Sequence, residues 1–248
     1  MAKISDEVQV NYKGLAESTK AKLTANLLSL EGKKPLLESY ARLAALNGIK
    51  LDLIKDKWSE PAAHFFDEAH NDALLSHFNA SFGSWRPALQ SLRSFFENTM
   101  AAIYYAEHPV ELKKWEKGTF RMEPRELREY VVGHPLIEPI AKEKQVDLKT
   151  RLDGEYRELS SAVHGSKSIF RMTGTDGKPN LADVDLAKLG KWSARERSTV
   201  DLCVLMLVAV FNQDLDGTKR QPLRGGLAIA LTPSSKKALK SHYNIRIT

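Results

Sequence analysis

A single cysteine, Cys203, leaves no partner for a disulfide within the 248-residue chain. Chains without disulfides suit a reducing compartment, so a cytoplasmic protein is the expectation. Cys203 sits in an apolar run and reads as a small core residue rather than a nucleophile. That run, Leu202 to Phe211, is the longest of its kind and far short of the roughly 20 residues that cross a bilayer. The opening residues, Met1 to Glu7, lack the apolar core of a secretory leader, and no membrane partner is expected. Several enzyme signatures are also missing: a phosphate-cradling glycine loop, a Gly-x-Ser-x-Gly elbow, paired Cys-x-x-Cys and His-Glu-x-x-His. With them go the nucleotide, serine-hydrolase and zinc chemistries they serve, and no cofactor is expected. Gly225-Gly226 reads as a lone pair in a loop.

What is present is the composition of a globular protein, 42% apolar and 27% charged. Bases exceed acids by six, which permits a polyanionic partner without demanding one, since no block of like charge occurs.

The periodicity is helical along most of the chain, so the expected class is all-α with trivial β structure. Val8, Val10 and Tyr12 alternate and predict an extended lead-in over residues 1 to 14. Helices are expected over Ser18–Leu30, Leu36–Leu46 and Ala62–Phe78, the last started by Ser59 and Pro61. The polar break Asn79–Ser84 is the candidate boundary between an N-terminal helical region (1–80) and a second bundle (84–217), with 218–248 as a tail. The bundle begins with a helix from Pro87 to Glu107, then Val110–Lys117, a helix opened by Glu123-Pro124, and Leu136–Lys144. Turn chemistry within Ile169–Leu181 predicts a small hairpin. Ser193 and Glu196 make a capping box expected to open the most apolar helix, Ala194 to Asn212. Thr232-Pro233 starts a short final helix, and Tyr243 to Thr248 is a possible strand.

One stretch organises the functional reading: Tyr156 to Gly165. At about 100° per residue, Tyr156, Leu159 and Val163 share a packed side, and Arg157, Ser160, Ser161 and His164 share another. Gly165 is a natural stop, which puts His164 in the last turn, at the end of the helix where positive charge is favoured. A fixed cation beside a titratable base is what cleavage of a phosphodiester by its own 2′-hydroxyl requires. Two surface residues would look the same. Arg93 and Glu97 pair at i, i+4 on the Pro87–Glu107 helix and either form a surface ion pair or border a cleft on the His164 side. His64, Asp67, Glu68, His70 and His77 cluster at helical spacing that could seat a metal, or could be a solvated face; no further ligand is apparent, and no metal is expected.

The arrangement Arg157, six residues, His164, on an amphipathic helix of an α-helical basic chain, resembles the HEPN superfamily. The order of elements from about residue 84 to 217 is similar too: a long charged helix, connecting segments, the motif helix, then an apolar closing helix. The resemblance implies a metal-independent endoribonuclease working as a homodimer with motif helices face to face, of the kind found in toxin–antitoxin and antiphage systems. It implies His164 as general acid or base and Arg157 as the group stabilising the phosphorane, a role worth roughly 3 kcal/mol per contact. Ser160, Ser161, Lys167 and Arg171 would then hold the RNA backbone, with Arg93 and Glu97 in support. The alternative is a non-catalytic helical binding or scaffold protein that partners another effector; Glu158 and the six-residue spacing favour it.

Overall fold

In the computed structural model the described residues are 2–144, 146–164, 168–173, 177 and 179–247, with the side chains of residues 2 and 3 excepted. Among them the chain is all-α. Twelve helices run in order: α1 (Ala2–Leu30), α2 (Lys34–Ile49), α3 (Glu60–Ser81), α4 (Trp85–Glu107), α5 (Pro109–Glu116), α6 (Pro124–Gly133), α7 (Glu138–Ala141), α8 (Leu148–Val163), α9 (Leu186–Val210), α10 (Asn212–Leu215), α11 (Gln221–Ala230) and α12 (Pro233–Tyr243). A single widened turn, Lys50–Ile54, extends α2. β structure among the described residues is limited to two isolated bridges, Thr173 with Pro179 and Gly217 with Ile245. No helix among the described residues is long and apolar enough to cross a membrane.

Four of the expected elements change. Residues 1–14 are not an extended lead-in: Ala2–Leu30 is one helix. Val8, Val10 and Tyr12 alternate, but Ile4, Val8 and Tyr12 also fall at i, i+4, and the helical register runs on to Leu15. The expected helix 136–144 shrinks to Glu138–Ala141, because His134 folds the chain into a turn, its Nδ1 accepting from the Leu136 amide at 3.1 Å. The closing helix starts eight residues before Ala194. Its true cap is Asp185, whose carboxylate accepts from the Ala187 and Lys188 amides at 2.8 and 3.0 Å. Ser193 and Glu196 therefore lie mid-helix, and Gly225-Gly226 lies within α11 rather than in a loop.

Of the segment 79–84, residues 79–81 end α3 and residues 82–84 make a tight turn into α4; the two helices pack along one another, and the core runs through both sides of the turn. Gly83 carries φ +74°, and a Cβ there would stand 2.1 Å from the Asp183 carbonyl oxygen. The close approach is used: the Asp183 amide donates to the Gly83 carbonyl at 3.1 Å. Trp85 Nε1 donates to the Asp183 carboxylate at 2.8 Å, fastening the 180–185 segment to the start of α4.

α4 and α9 are the central helices. Leu89, Leu92, Phe95, Phe96, Met100 and Ile103 on α4 and the run Leu202 to Ala209 on α9 are buried in one core, and the two helices pack together. Cys203 is fully buried there, and burial pushes its thiol pKa up, which makes it inert as the sequence implies. The core also holds charge. Glu196 on α9 meets Arg42 on α2, whose Nε donates at 2.8 Å; Ser39 Oγ donates to the other oxygen at 3.2 Å. His77 Nδ1 lies 3.1 Å from the same Ser39 hydroxyl. Both Arg42 and Glu196 are buried.

Candidate functional site

The site candidate is the outer face of α8. Its inner face, Leu148, Leu152, Leu159 and Ala162, packs into the bundle against α4, α6 and α9. Two buried carboxylates make that seating specific. Glu155 accepts from Arg195 at 3.0 Å, Ser198 at 2.7 Å and Thr199 at 2.9 Å, all on α9. Burial raises the Glu155 pKa, against the lowering pull of Arg195 and the two hydroxyls. Arg151 donates to Asp201 at 2.5 Å, and that fully buried carboxylate also accepts from the Thr232 amide and Ser235 hydroxyl at the start of α12. α8 is thus clamped by directional bonds, which fixes the rotation of its outer face.

Lys149, Asp153, Arg157, Ser160 and His164 fall on that outer face, within an arc of about 80°. Lys149, Asp153, Arg157 and His164 are exposed, and Ser160 is half-buried. At the N-terminal end of the stripe a cavity of about 460 Å³ is lined by Arg125, Arg128, Glu129, Lys149, Leu152 and Asp153. At the other end the Arg86 guanidinium caps α8, its Nε donating to the Val163 carbonyl at 2.9 Å, with a second contact from Nη2. Arg86 complements the negative end of the helix dipole beside His164, and it lines a small crevice together with Arg171. His164 closes the helix, its amide donating to the Ser160 carbonyl at 3.0 Å. The result is a stripe with cations at both ends and Arg157 between them, in which Asp153 is paired with Arg128 and Glu129 with Arg125, both at 2.8 Å.

The expected residues divide. Arg157 and His164 share the exposed face as anticipated. Ser161 donates its proton to the Arg157 carbonyl at 2.7 Å, so in this rotamer it has no proton to offer a phosphate. Arg171 is exposed, one residue beyond the short turn Ser168–Phe170. Lys167 lies outside the described residues. Arg93 and Glu97 do pair, at 2.8 Å, and what they reach is Tyr156: Arg93 Nη2 donates to its hydroxyl at 3.0 Å. Two guanidiniums stand over the Tyr156 ring, Arg93 at 5.0 Å and Arg128 at 4.1 Å from its centre. Arg128 in turn donates to Asp153 at 2.8 Å. Arg93 and Glu97 thus position the helix segment that carries Arg157.

Arg86, Arg125, Arg128 and Lys149 also stand on or beside this face, and the sequence reading does not name them. Lys149, Asp153 and Arg157 carried a signal, since they repeat at i, i+4 on the motif helix; Arg86, 77 residues from Val163, carried none. The acidic and histidine cluster on α3 disperses. Asp67 pairs with Lys50 at 2.9 Å, His64 stands 3.8 Å from Asp67, and His77 turns inward to Ser39. Among the described residues no group of three His, Cys, Asp or Glu side chains converges on a point that could hold a metal.

One α3 carboxylate is perturbed. Burial, with the nearby Glu68 charge adding to it, raises the Asp72 pKa to about 6, although Asn98 donates to it at 2.9 Å. A carboxyl whose folded pKa is raised supports the fold below its unfolded pKa of 3.8 and loses that contribution as pH rises through about 6. Asp72→Asn should therefore gain stability at pH 7.5, by about 1 kcal/mol after allowance for solvent screening, and gain none at pH 3.5. Urea unfolding at the two pH values checks this.

No protein-family model, curated protein or solved structure matches the chain.

Proposed function

We propose that the α8 face binds the sugar–phosphate backbone of RNA and cleaves it by transesterification at His164, as in the HEPN-type ribonucleases that the chain resembles. The observation that supports this reading is the exposed Lys149–Arg157–His164 stripe, with a cavity flanked by Arg125 and Arg128 at one end and Arg86 and Arg171 at the other. Cations spaced along a helix follow successive phosphates without reading bases, so binding is tolerant of sequence and sensitive to salt.

His164 takes the proton of a ribose 2′-hydroxyl as that oxygen attacks the adjacent phosphorus. The 5′-oxygen of the next nucleotide leaves with a proton, and a 2′,3′-cyclic phosphate remains. Arg157 stabilises the extra negative charge on the phosphorane. Tyr156, held by Arg93 and Arg128, fixes the helix so that Arg157 is presented outward. A second copy presenting the same pair would supply the group that protonates the leaving oxygen.

Fluorescence anisotropy with a single-stranded RNA, over a range of salt, tests the binding half. Replacing Lys149 and Arg157 by alanine should weaken affinity and flatten the salt dependence by about 0.7 in log–log slope for each lost phosphate contact. Unchanged affinity and slope would remove the α8 face as the RNA surface. Cleavage of the same RNA by the native protein with EDTA present tests the other half.

A further inference from the structure

A second cavity of about 460 Å³ opens between α3 and α5 and shares no lining residue with the one beside α8. Its apolar wall is Phe65 on α3 with Leu112 and Trp115 on α5. The Phe65 and Trp115 rings stand 4.7 Å apart between centres, and Tyr105 stacks on Phe65 at 4.8 Å. Trp115 is nevertheless 42% exposed, and its indole N–H makes no hydrogen bond with a described residue. A volume of this size with an aromatic wall is what a small organic ligand requires.

The charge around that wall has one sign, although the chain as a whole is basic. Glu60 and Glu68 line the cavity from α3 and Glu116 lines it from α5. None of the three makes an ion pair or a hydrogen bond through its side chain with a described residue. Nearby acids are paired instead: Asp67 with Lys50 at 2.9 Å and Glu97 with Arg93 at 2.8 Å. No lysine or arginine lines the cavity, and His64, which does, is cationic only when protonated. Lys113, Lys114 and Lys117 fall more than about 100° around α5 from the middle of its lining face. Asn98 adds an acceptor from α4: its amide nitrogen donates to Asp72 at 2.9 Å, while its carbonyl oxygen accepts from no described residue.

The spacing of the acids selects the shape of the ligand. Glu60, His64 and Glu68 follow at i, i+4 and i+8, so the two carboxylates are separated by roughly 12 Å along α3. Among the described residues no three His, Cys, Asp or Glu side chains converge on one point, so a single metal ion cannot gather them. Charges strung over two helical turns, with apolar surface between them, match a chain of ammonium groups joined by methylenes. We infer that this cavity binds a linear aliphatic polyamine. Its ammonium groups pair with Glu60, Glu68 and Glu116, and its methylene stretches lie against Phe65, Leu112 and Trp115. The indole face also attracts an ammonium directly. A lysine side chain of another protein offers the same head group but one charge, and would engage one carboxylate at a time. The inference rests on this cavity alone and stands whether or not the α8 face binds RNA.

Calorimetric titration of the full-length protein with spermidine, without RNA and at fixed ionic strength, tests it. One saturable site per chain is expected, with putrescine weaker and N-acetyl-lysine amide weaker still. Glu68→Gln with Glu116→Gln should weaken spermidine by about tenfold, from two lost ion pairs. Trp115→Leu should weaken it by about threefold, the value of an exposed cation–π contact. The glutamines keep the shape of exposed side chains, so the thermal transition should be unmoved. Glu31→Gln removes an exposed acid outside the cavity and should leave the affinity as it is. Absence of saturable binding by about 1 mM spermidine overturns the proposal. So does an equal loss in Glu31→Gln, which would make the attraction non-specific. Equal affinity for N-acetyl-lysine amide would also overturn it, by assigning the cavity to a single ammonium.

Discussion

His164→Ala is expected to lower RNA cleavage by about 10²–10⁴-fold while leaving RNA binding and thermal stability nearly unchanged. The imidazole is exposed at the end of α8 and makes no hydrogen bond with a described residue, so its removal opens no cavity and strands no buried group. His164→Gln keeps the polarity and cannot exchange a proton in the working range, and it should fail equally. Arg157→Ala should cost about 10²-fold or more in cleavage, with a modest loss of binding, because its charge matters most when the phosphorane forms. Initial rates with a fluorophore–quencher RNA give the comparison. Cleavage by His164→Ala at the native rate would assign the chemistry to another residue or to a contaminant.

The second large effect is on stability, and it lies on the other side of α9. Arg42→Ala should destabilise the protein by about 3–5 kcal/mol, because it leaves Glu196 buried without its counter-charge. Arg42 Nε is the directed donor; Nη2 also stands 2.5 Å from the same carboxylate oxygen but is poorly aimed as a hydrogen bond. Burial already raises the Glu196 pKa, with Arg42 and Ser39 pulling it back. Without Arg42 the acid would take up a proton more readily. The sign follows: the deficit of the variant is largest at neutral pH and shrinks as pH falls and Glu196 is neutralised. Replacing both partners, Arg42→Met with Glu196→Leu, should recover most of the loss, since a well-packed apolar pair needs no counter-charge. Guanidinium unfolding of the three variants at pH 7 and pH 5 reads both effects. A loss below about 1 kcal/mol in Arg42→Ala would show that water reaches Glu196.

These two residues also mark where the sequence was legible and where it was not. The helical class follows from apolar spacing, and α3, α6 and α12 start close to where expected because Pro61, Pro124 and Pro233 each sit in a first turn. Glu196 misled for a physical reason. Ser193 and Glu196 satisfy the pattern of a capping box, but Glu196 is drawn to Arg42, which is 154 positions away, and no local rule reports such a distance. The start of α1 misled differently, since a five-residue alternation fits a strand and a helix face alike and only Ile4 and Leu15 break the tie. On α8 the placement of Arg157 and His164 on one exposed face could be read from spacing. The clamp by Glu155, Asp201 and Tyr156, and the Arg86 cap, bring residues together from α4, α6, α9 and α12, and those contacts exist only once the bundle is formed.

The central claim is that a ribose 2′-hydroxyl is the nucleophile and His164 its proton acceptor, with no metal required. The most direct measurement uses one short RNA and its counterpart carrying a single 2′-deoxynucleotide at the cut position, both incubated with native protein in EDTA. The account predicts cleavage of the first to a 2′,3′-cyclic phosphate, seen by mass spectrometry, and an intact second strand. Cleavage of the 2′-deoxy strand at that position, or no cleavage of either RNA, would contradict it.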